Sequence, residues 1–292
     1  MVTPRPVELL SLYATIFLIV SSSTLRGALV AYEGFNSYSA NSELAGQSGG
    51  TGWQSGWSAI AGVQVVSASL SYTGGSLSIS GGDRALGINE SNDELLTRGF
   101  SAIGSGGEVY FSFLFQEVNG LGDAFLDIHV TDDADRDNSG SIGDLATGTS
   151  GKQFGTRIRK TTDSTSLSGV MFHPGETHLL VGRFSTNGVS GAAGEFDLME
   201  LWVDPTSVVP GAPTTSLDAA SGLTGNSIAA LGMRTANIFT SNQYLIDEIK
   251  VGTDFMSVVS PVPEPSSPVF IGSGILALCV NQFRRKRSDQ AG

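Results

Sequence analysis

The sequence predicts an all-β protein, a single two-sheet antiparallel sandwich of the jelly-roll type. Three observations carry this. Glu108–Glu117, EVYFSFLFQE, alternates with period two, setting Val109, Phe111, Phe113 and Phe115 on one face and Tyr110, Ser112, Leu114 and Gln116 on the other. Glycine fills 38 of 292 positions, well above the ordinary share of about 7%. It mixes with Ser, Thr, Asn and Asp between short apolar runs, the pattern of many tight turns. No segment of the middle carries a long apolar stripe of helical spacing with caps.

The first element is a leader. Leu9–Val20 is an almost unbroken apolar run, preceded by Arg5 and followed by Ser21, Ser22, Ser23 and Thr24. That is the build of a secretory signal, and the run is short for a membrane-spanning helix. Residues 1–27 are assigned to it, as a helix removed on export.

Strands follow over Leu29–Phe35, Leu77–Ser80, Glu108–Glu117, Ala124–Val130, Gly155–Lys160, His178–Phe184, Glu195–Val203, Ile228–Met233 and Tyr244–Val251. The second face of Glu108–Glu117 is itself partly apolar, so both sides of that strand are expected to be covered. The sandwich is assigned to residues 28–256.

After it come a linker over 257–267, a short apolar helix over 268–283 and a basic tail over 284–292. Pro263-Glu264-Pro265 lies in the linker, where two prolines hold an extended segment that cannot join a sheet. Arg284, Arg285, Lys286 and Arg287 would stay on the cytoplasmic side and halt export.

Charge narrows the function. The chain carries −12, while the leader is at +1 and the tail at +3, so the middle stands at −16. Nucleic acid is excluded as a partner, because phosphate contact needs clustered Lys and Arg. The single cysteine, Cys279, sits in the apolar tail. The middle therefore has no disulfide, thiolate nucleophile or cysteine metal site.

The ordered series of Pro263-Glu264-Pro265, apolar run, basic cluster and chain end resembles the PEP-CTERM sorting signal. The resemblance implies an exosortase and the export machinery as partners, transient residence in the inner membrane, and a final place at the surface or in the extracellular matrix of a Gram-negative-type bacterium. The alternative is a plain C-terminal anchor.

The middle also resembles a family. Ala31–Phe35, Gly52-Trp53, Gly56-Trp57, His178–Phe184, Asp197–Pro205 and Tyr244–Thr253 fall in the order seen in concanavalin A-like (laminin G-like) domains. The resemblance implies two antiparallel sheets with first and last strands meeting at one edge. It speaks to fold more than to activity. Polysaccharide binding is the functional expectation, and a purely structural surface module is the alternative.

Three clusters are candidates for chemistry. Glu195-Phe196-Asp197-Leu198-Met199-Glu200 resembles the E-x-D-x-x-E signature of laminarinase-type glycoside hydrolases. In that reading Glu195 is the nucleophile, Asp197 its helper and Glu200 the acid/base, and a bulge near Leu198-Met199 is needed to bring them to one face. A non-catalytic strand with solvated carboxylates fits the same residues, and we expect no enzyme.

The second cluster is an acidic stretch, in which Asp133, Asp135, Asp137, Ser139 and Asp144 place oxygen ligands at intervals suited to calcium. Position twelve of an EF-hand count from Asp135 is Ala146, not Glu, so an acidic hairpin turn is the competing reading. The third is Trp53 and Trp57, which would either stack on sugar rings or plug one end of the sandwich.

Overall fold

The computed structural model describes residues 27–58, 62–89, 92–120, 122–132, 138–145, 152–159, 164–186, 194–219, 227–238 and 243–262, with only the backbone path over 92–95. The leader, the Pro263-Glu264-Pro265 motif and the apolar run after it lie outside these residues. Among the described residues no helix is long and apolar enough to cross a membrane.

The regular structure of the described chain is nearly all strand. In order the strands are β1 (Leu29–Glu33), β2 (Val63–Val66), β3 (Ser71–Gly74), β4 (Leu77–Ser80), β5 (Ala85–Ile88), β6 (Asn92–Gly104), β7 (Glu108–Glu117) and β8 (Phe125–Thr131). They continue as β9 (Ser139–Asp144), β10 (Gln153–Arg159), β11 (Ser164–Met171), β12 (Thr177–Ser185), β13 (Leu198–Val203), β14 (Thr215–Asp218), β15 (Ser227–Ala236) and β16 (Tyr244–Gly252). One short helix, α1 (Phe255–Val259), follows.

Two antiparallel sheets stack. One runs β14-β13-β12-β7-β16-β5-β2, with β1 also paired to β16. The other runs β11-β10-β9-β8-β15-β6. Side-chain alternation explains the layering. Val109, Phe111, Phe113 and Phe115 of β7 meet Leu126, Ile128 and Val130 of β8 and Leu231 and Met233 of β15 in one apolar core.

The other face of β7 is covered as expected. Tyr110 and Leu114 join Leu179, Val181 and Trp202 beneath the β3–β4 hairpin and α1. Phe255, Val258 and Val259 of α1 belong to this second cluster. Asp254 caps the helix, its Oδ1 accepting from Ser257 N–H at 2.7 Å. The compact unit consequently extends to Ser260, past the expected end at 256, because α1 is part of its packing.

First and last strands do meet: β1 pairs with β16 and with no other named strand. β16 lies between β7 and a side shared by two partners. Tyr244–Ile246 pair with β5, and Ile249–Gly252 pair with β1. The ladder to β7 shifts register between Asp247 and Lys250, where Glu248 has φ 51. The irregularity lies at the handover from one partner to the next.

Candidate functional site

The carboxylate trio lies on β13 and the chain entering it. Phe196 and Met199 both reach the main core although they are three residues apart. Strict alternation would put them on opposite faces, so the strand changes phase between them. Asp197 N–H donates to Ser185 O at 3.0 Å, and Leu198 is already the register partner of Ser185. The phase change thus falls at Asp197–Leu198, at the strand's entry, slightly before the expected place.

It does not open a groove. Glu200 shares its face with Trp202, under the second apolar cluster. It is ion-paired with Arg183, its register partner on β12. Arg183 also holds Glu108 at 3.0 Å, and Tyr110 OH donates to Glu108 at 2.9 Å. Glu200 is 7% exposed and Asp197 1%. Glu195 sits outside the strand. Glu200 thus belongs to a structural ion-pair network with Arg183 and Glu108.

The calcium set is divided by β9. Ser139 begins the strand and Asp144 ends it, about 16 Å apart at ~3.3 Å per residue. Their numbers differ in parity, so they face opposite sides of the sheet. Asp144 turns inward, where Lys152 Nζ lies 2.9 Å away and Tyr244 OH donates at 2.7 Å. Burial lifts its carboxyl to about 6, against the pull of Lys152 and Tyr244. One ion cannot gather both Ser139 and Asp144, so the five-ligand set is corrected. Asp133, Asp135 and Asp137 lie outside the described residues. Among the described residues no group of three His, Cys, Asp or Glu is placed to hold a metal.

The two tryptophans take the plugging role. Trp57 is 2% exposed and part of the main core, which closes it to a sugar ring. Trp53 is half-buried against the same core, with Nε1 donating to Tyr32 O at 2.9 Å. Both lie against the Arg98 guanidinium, at 5.0 and 5.5 Å. That guanidinium is itself buried, donating to Glu33 at 2.6 Å and to the Gly49 and Ser55 carbonyls at 2.8 Å each.

A different surface has the makings of a binding site: the outer face of the six-stranded sheet. Pairing registers set its residues in rows. Arg157, Ser141, His129 and Gly232 form the central row across β10, β9, β8 and β15. Gly155, Gly143, Asp127 and Arg234 lie to one side of it, and Arg159, Ser139, Thr131 and Ala230 to the other. All three arginines keep partial exposure, while Ser139, Ser141, His129 and Thr131 form a buried polar floor.

The floor is built, not incidental. A Cβ on Gly232 would sit 2.2 Å from His129 Nε2, so only glycine there lets the imidazole lie across β15. Asp127 is 3.4 Å from both His129 Nδ1 and Arg157 Nη1. Its burial pushes the carboxyl up, but His129, Arg157 and Arg234 outweigh that and hold it below the usual carboxylate range. The Arg157 and Arg234 guanidiniums lie 5.9 and 4.7 Å from the Phe125 ring.

Three polar atoms of the central row find no hydrogen-bond partner among the described residues: His129 Nε2, Ser141 Oγ and Arg157 Nε. His129 and Ser141 are each 1% exposed. A buried polar group left unpaired costs roughly 1–3 kcal/mol, and these three atoms lie below the surface that the partly exposed arginines form. None of these residues was singled out from sequence. The signal was present in Asp127 and His129 alternating with Leu126, Ile128 and Val130, which puts charged groups on a strand with a core face.

No family model matches the chain, and no curated protein matches it. Solved structures of similar outline are lectin-like and concanavalin A-like β sandwiches. The carbohydrate recognition domain of Emp47p is 7% identical with TM-score 0.37, covering 66% of this chain and 89% of that one. Lectin UEA-II complexed with galactose is 9% identical with TM-score 0.39, covering 63% and 97%. Rv0315 of Mycobacterium tuberculosis, described as an immunostimulatory antigen and pseudo β-1,3-glucanase, is 16% identical with TM-score 0.38, covering 60% and 76%. Likenesses this distant carry no argument about ligand or activity.

Proposed function

We propose that this chain is an exported surface or matrix module, sorted by an exosortase, that binds polysaccharide without cleaving it. The binding surface is the outer face of the six-stranded sheet. The observation that carries the reading is the set of three partly exposed arginines, Arg157, Arg159 and Arg234, standing on the polar floor of that face. Saccharides offer donors and acceptors at short intervals, which suits a polar floor of that kind. From β10 to β15 the rows span three strand spacings, about 14 Å, room for an oligosaccharide and more than a single small anion needs.

The sorting half of the reading rests on the order of segments at the C-terminus. It predicts a mature protein outside the cell with its tail removed near Pro263–Pro265, and a tail retained in Glu264→Ala. The binding half is tested by titrating the purified protein against a panel of extracellular polysaccharides. Saturable binding that weakens in the Arg157→Ala, Arg234→Ala double variant is expected. No binding to any member would overturn it, and reducing-sugar release from a glucan would overturn the non-catalytic part.

A further inference from the structure

We infer that β11 is a docking edge for a second copy of this chain, the two β11 strands pairing antiparallel so that the six-stranded sheets of both copies join into one.

An open sheet edge presents a row of unpaired backbone N–H and C=O groups, which recruits another strand unless it is covered, short or charged. The sandwich manages its other edges. Along β2, Asn41 N–H donates to Val65 O at 2.6 Å and Leu44 N–H to Val63 O at 2.9 Å. Along β6, Ser58 and Thr97 exchange two hydrogen bonds and Gln54 N–H donates to Gly99 O. Thr51 bridges β1 in the same way, through Tyr32. β14 is only four residues long. β11 runs for eight, and among the described residues no strand or bridge pairs with its far side.

The strand also lacks a charged defence. Its sequence, Ser-Thr-Ser-Leu-Ser-Gly-Val-Met, carries no charge, in a chain that stands at −12. Two bodies so acidic repel each other over most of their surface, and a neutral strip is where they can approach. Four large apolar side chains are exposed among the described residues, and two of them, Leu167 and Met171, stand on β11. Serine and threonine fill most other positions, and their hydroxyls pair well across antiparallel strands.

Part of the edge is regular enough to pair. Residues 164–167 match 155–158 of β10 one for one, so every second residue there turns its N–H and C=O outward. Beyond them the register shifts, Gly169 takes φ 74, and Val170 N–H donates to Ser168 Oγ. That bulge confines regular pairing to the first half of the strand. On the inner side Ser166 Oγ lies 2.9 Å from Thr215 Oγ1 of β14, which steadies β11. So short an edge gives a weak, reversible dimer, with a Kd on the order of micromolar.

Strand direction fixes the arrangement. A two-fold axis that sets identical strands antiparallel stands perpendicular to the sheet, so both outer faces lie on one side. Thr165 and Leu167 are the register partners of Arg157 and Gly155 and share their outer face. The arginine-bearing surfaces of the two copies then run on as one.

The test is sedimentation velocity of the purified protein from about 1 to 100 μM. Monomer should pass into dimer as concentration rises. Leu167→Lys and Thr165→Lys place like charges against each other at exposed positions. Each should raise the dimer Kd at least about tenfold, although each also lowers the net negative charge. Val209→Lys, at an exposed apolar side chain elsewhere, should not weaken the dimer. A protein that stays monomeric throughout overturns the inference. So does a dimer indifferent to both β11 substitutions, since its contact then lies elsewhere. A dimer weakened as much by Val209→Lys overturns it too, because it answers to surface charge at large.

Discussion

Asp247 is buried beside Gly81, with its Oδ1 accepting from Glu248 N–H at 2.8 Å and its Oδ2 unpaired among the described residues. Burial raises its carboxyl from 3.8 to about 9. The folded state therefore holds a proton that the unfolded state releases. Stability should be greatest below about 4 for this group and fall as pH rises towards about 9. In Asp247→Asn that part of the decline should vanish, as read from melting temperatures across pH 4 to 9. An equally steep fall in the variant would show that Asp247 ionises freely. Arg98 sets the opposite case, a buried cation with a full set of acceptors. Removing it leaves the buried Glu33 carboxylate without its counter-charge, with only Phe35 N–H and Tyr38 OH among the described residues donating to it, and Arg98→Ala should cost about 3–5 kcal/mol in urea unfolding. Glu200→Gln, by contrast, should lower stability by about 1–3 kcal/mol through its Arg183 contact, as read from urea unfolding.

At the scale of elements, β7 carries the largest share of the core. Phe113 is fully buried between the sheets, and Phe113→Ala should cost about 3–5 kcal/mol in chemical denaturation. The strand was legible because its Val and Phe residues repeat every second position. β9 was not. Its sequence, Ser-Gly-Ser-Ile-Gly-Asp, has the chemistry of a turn, and it was read as part of a calcium loop. The sheet selects those small residues for space. A Cβ on Gly140 would come within 2.8 Å of the Phe184 ring, and Ser141 fits beneath its long neighbours on the outer face. β11 and β14, rich in Ser and Thr, escaped for the same reason. The phase change before β13 was anticipated, since the apolar residues shift parity there, but the ion pair that closes Glu200 off comes from β12 and has no local signature.

Across the whole molecule, an acidic body presents one guanidinium-bearing polar face, on the sheet that neither the hairpin nor α1 covers. The opposite sheet buries its outer apolar residues under its own chain, so the two faces are built for different ends. The most direct test is residue-by-residue amide NMR during titration with a polysaccharide fragment. Shifts concentrated at His129, Ser139, Ser141 and Gly232 are predicted. Shifts confined to Tyr72, Trp202 and the residues around them, with the central row silent, would contradict the account.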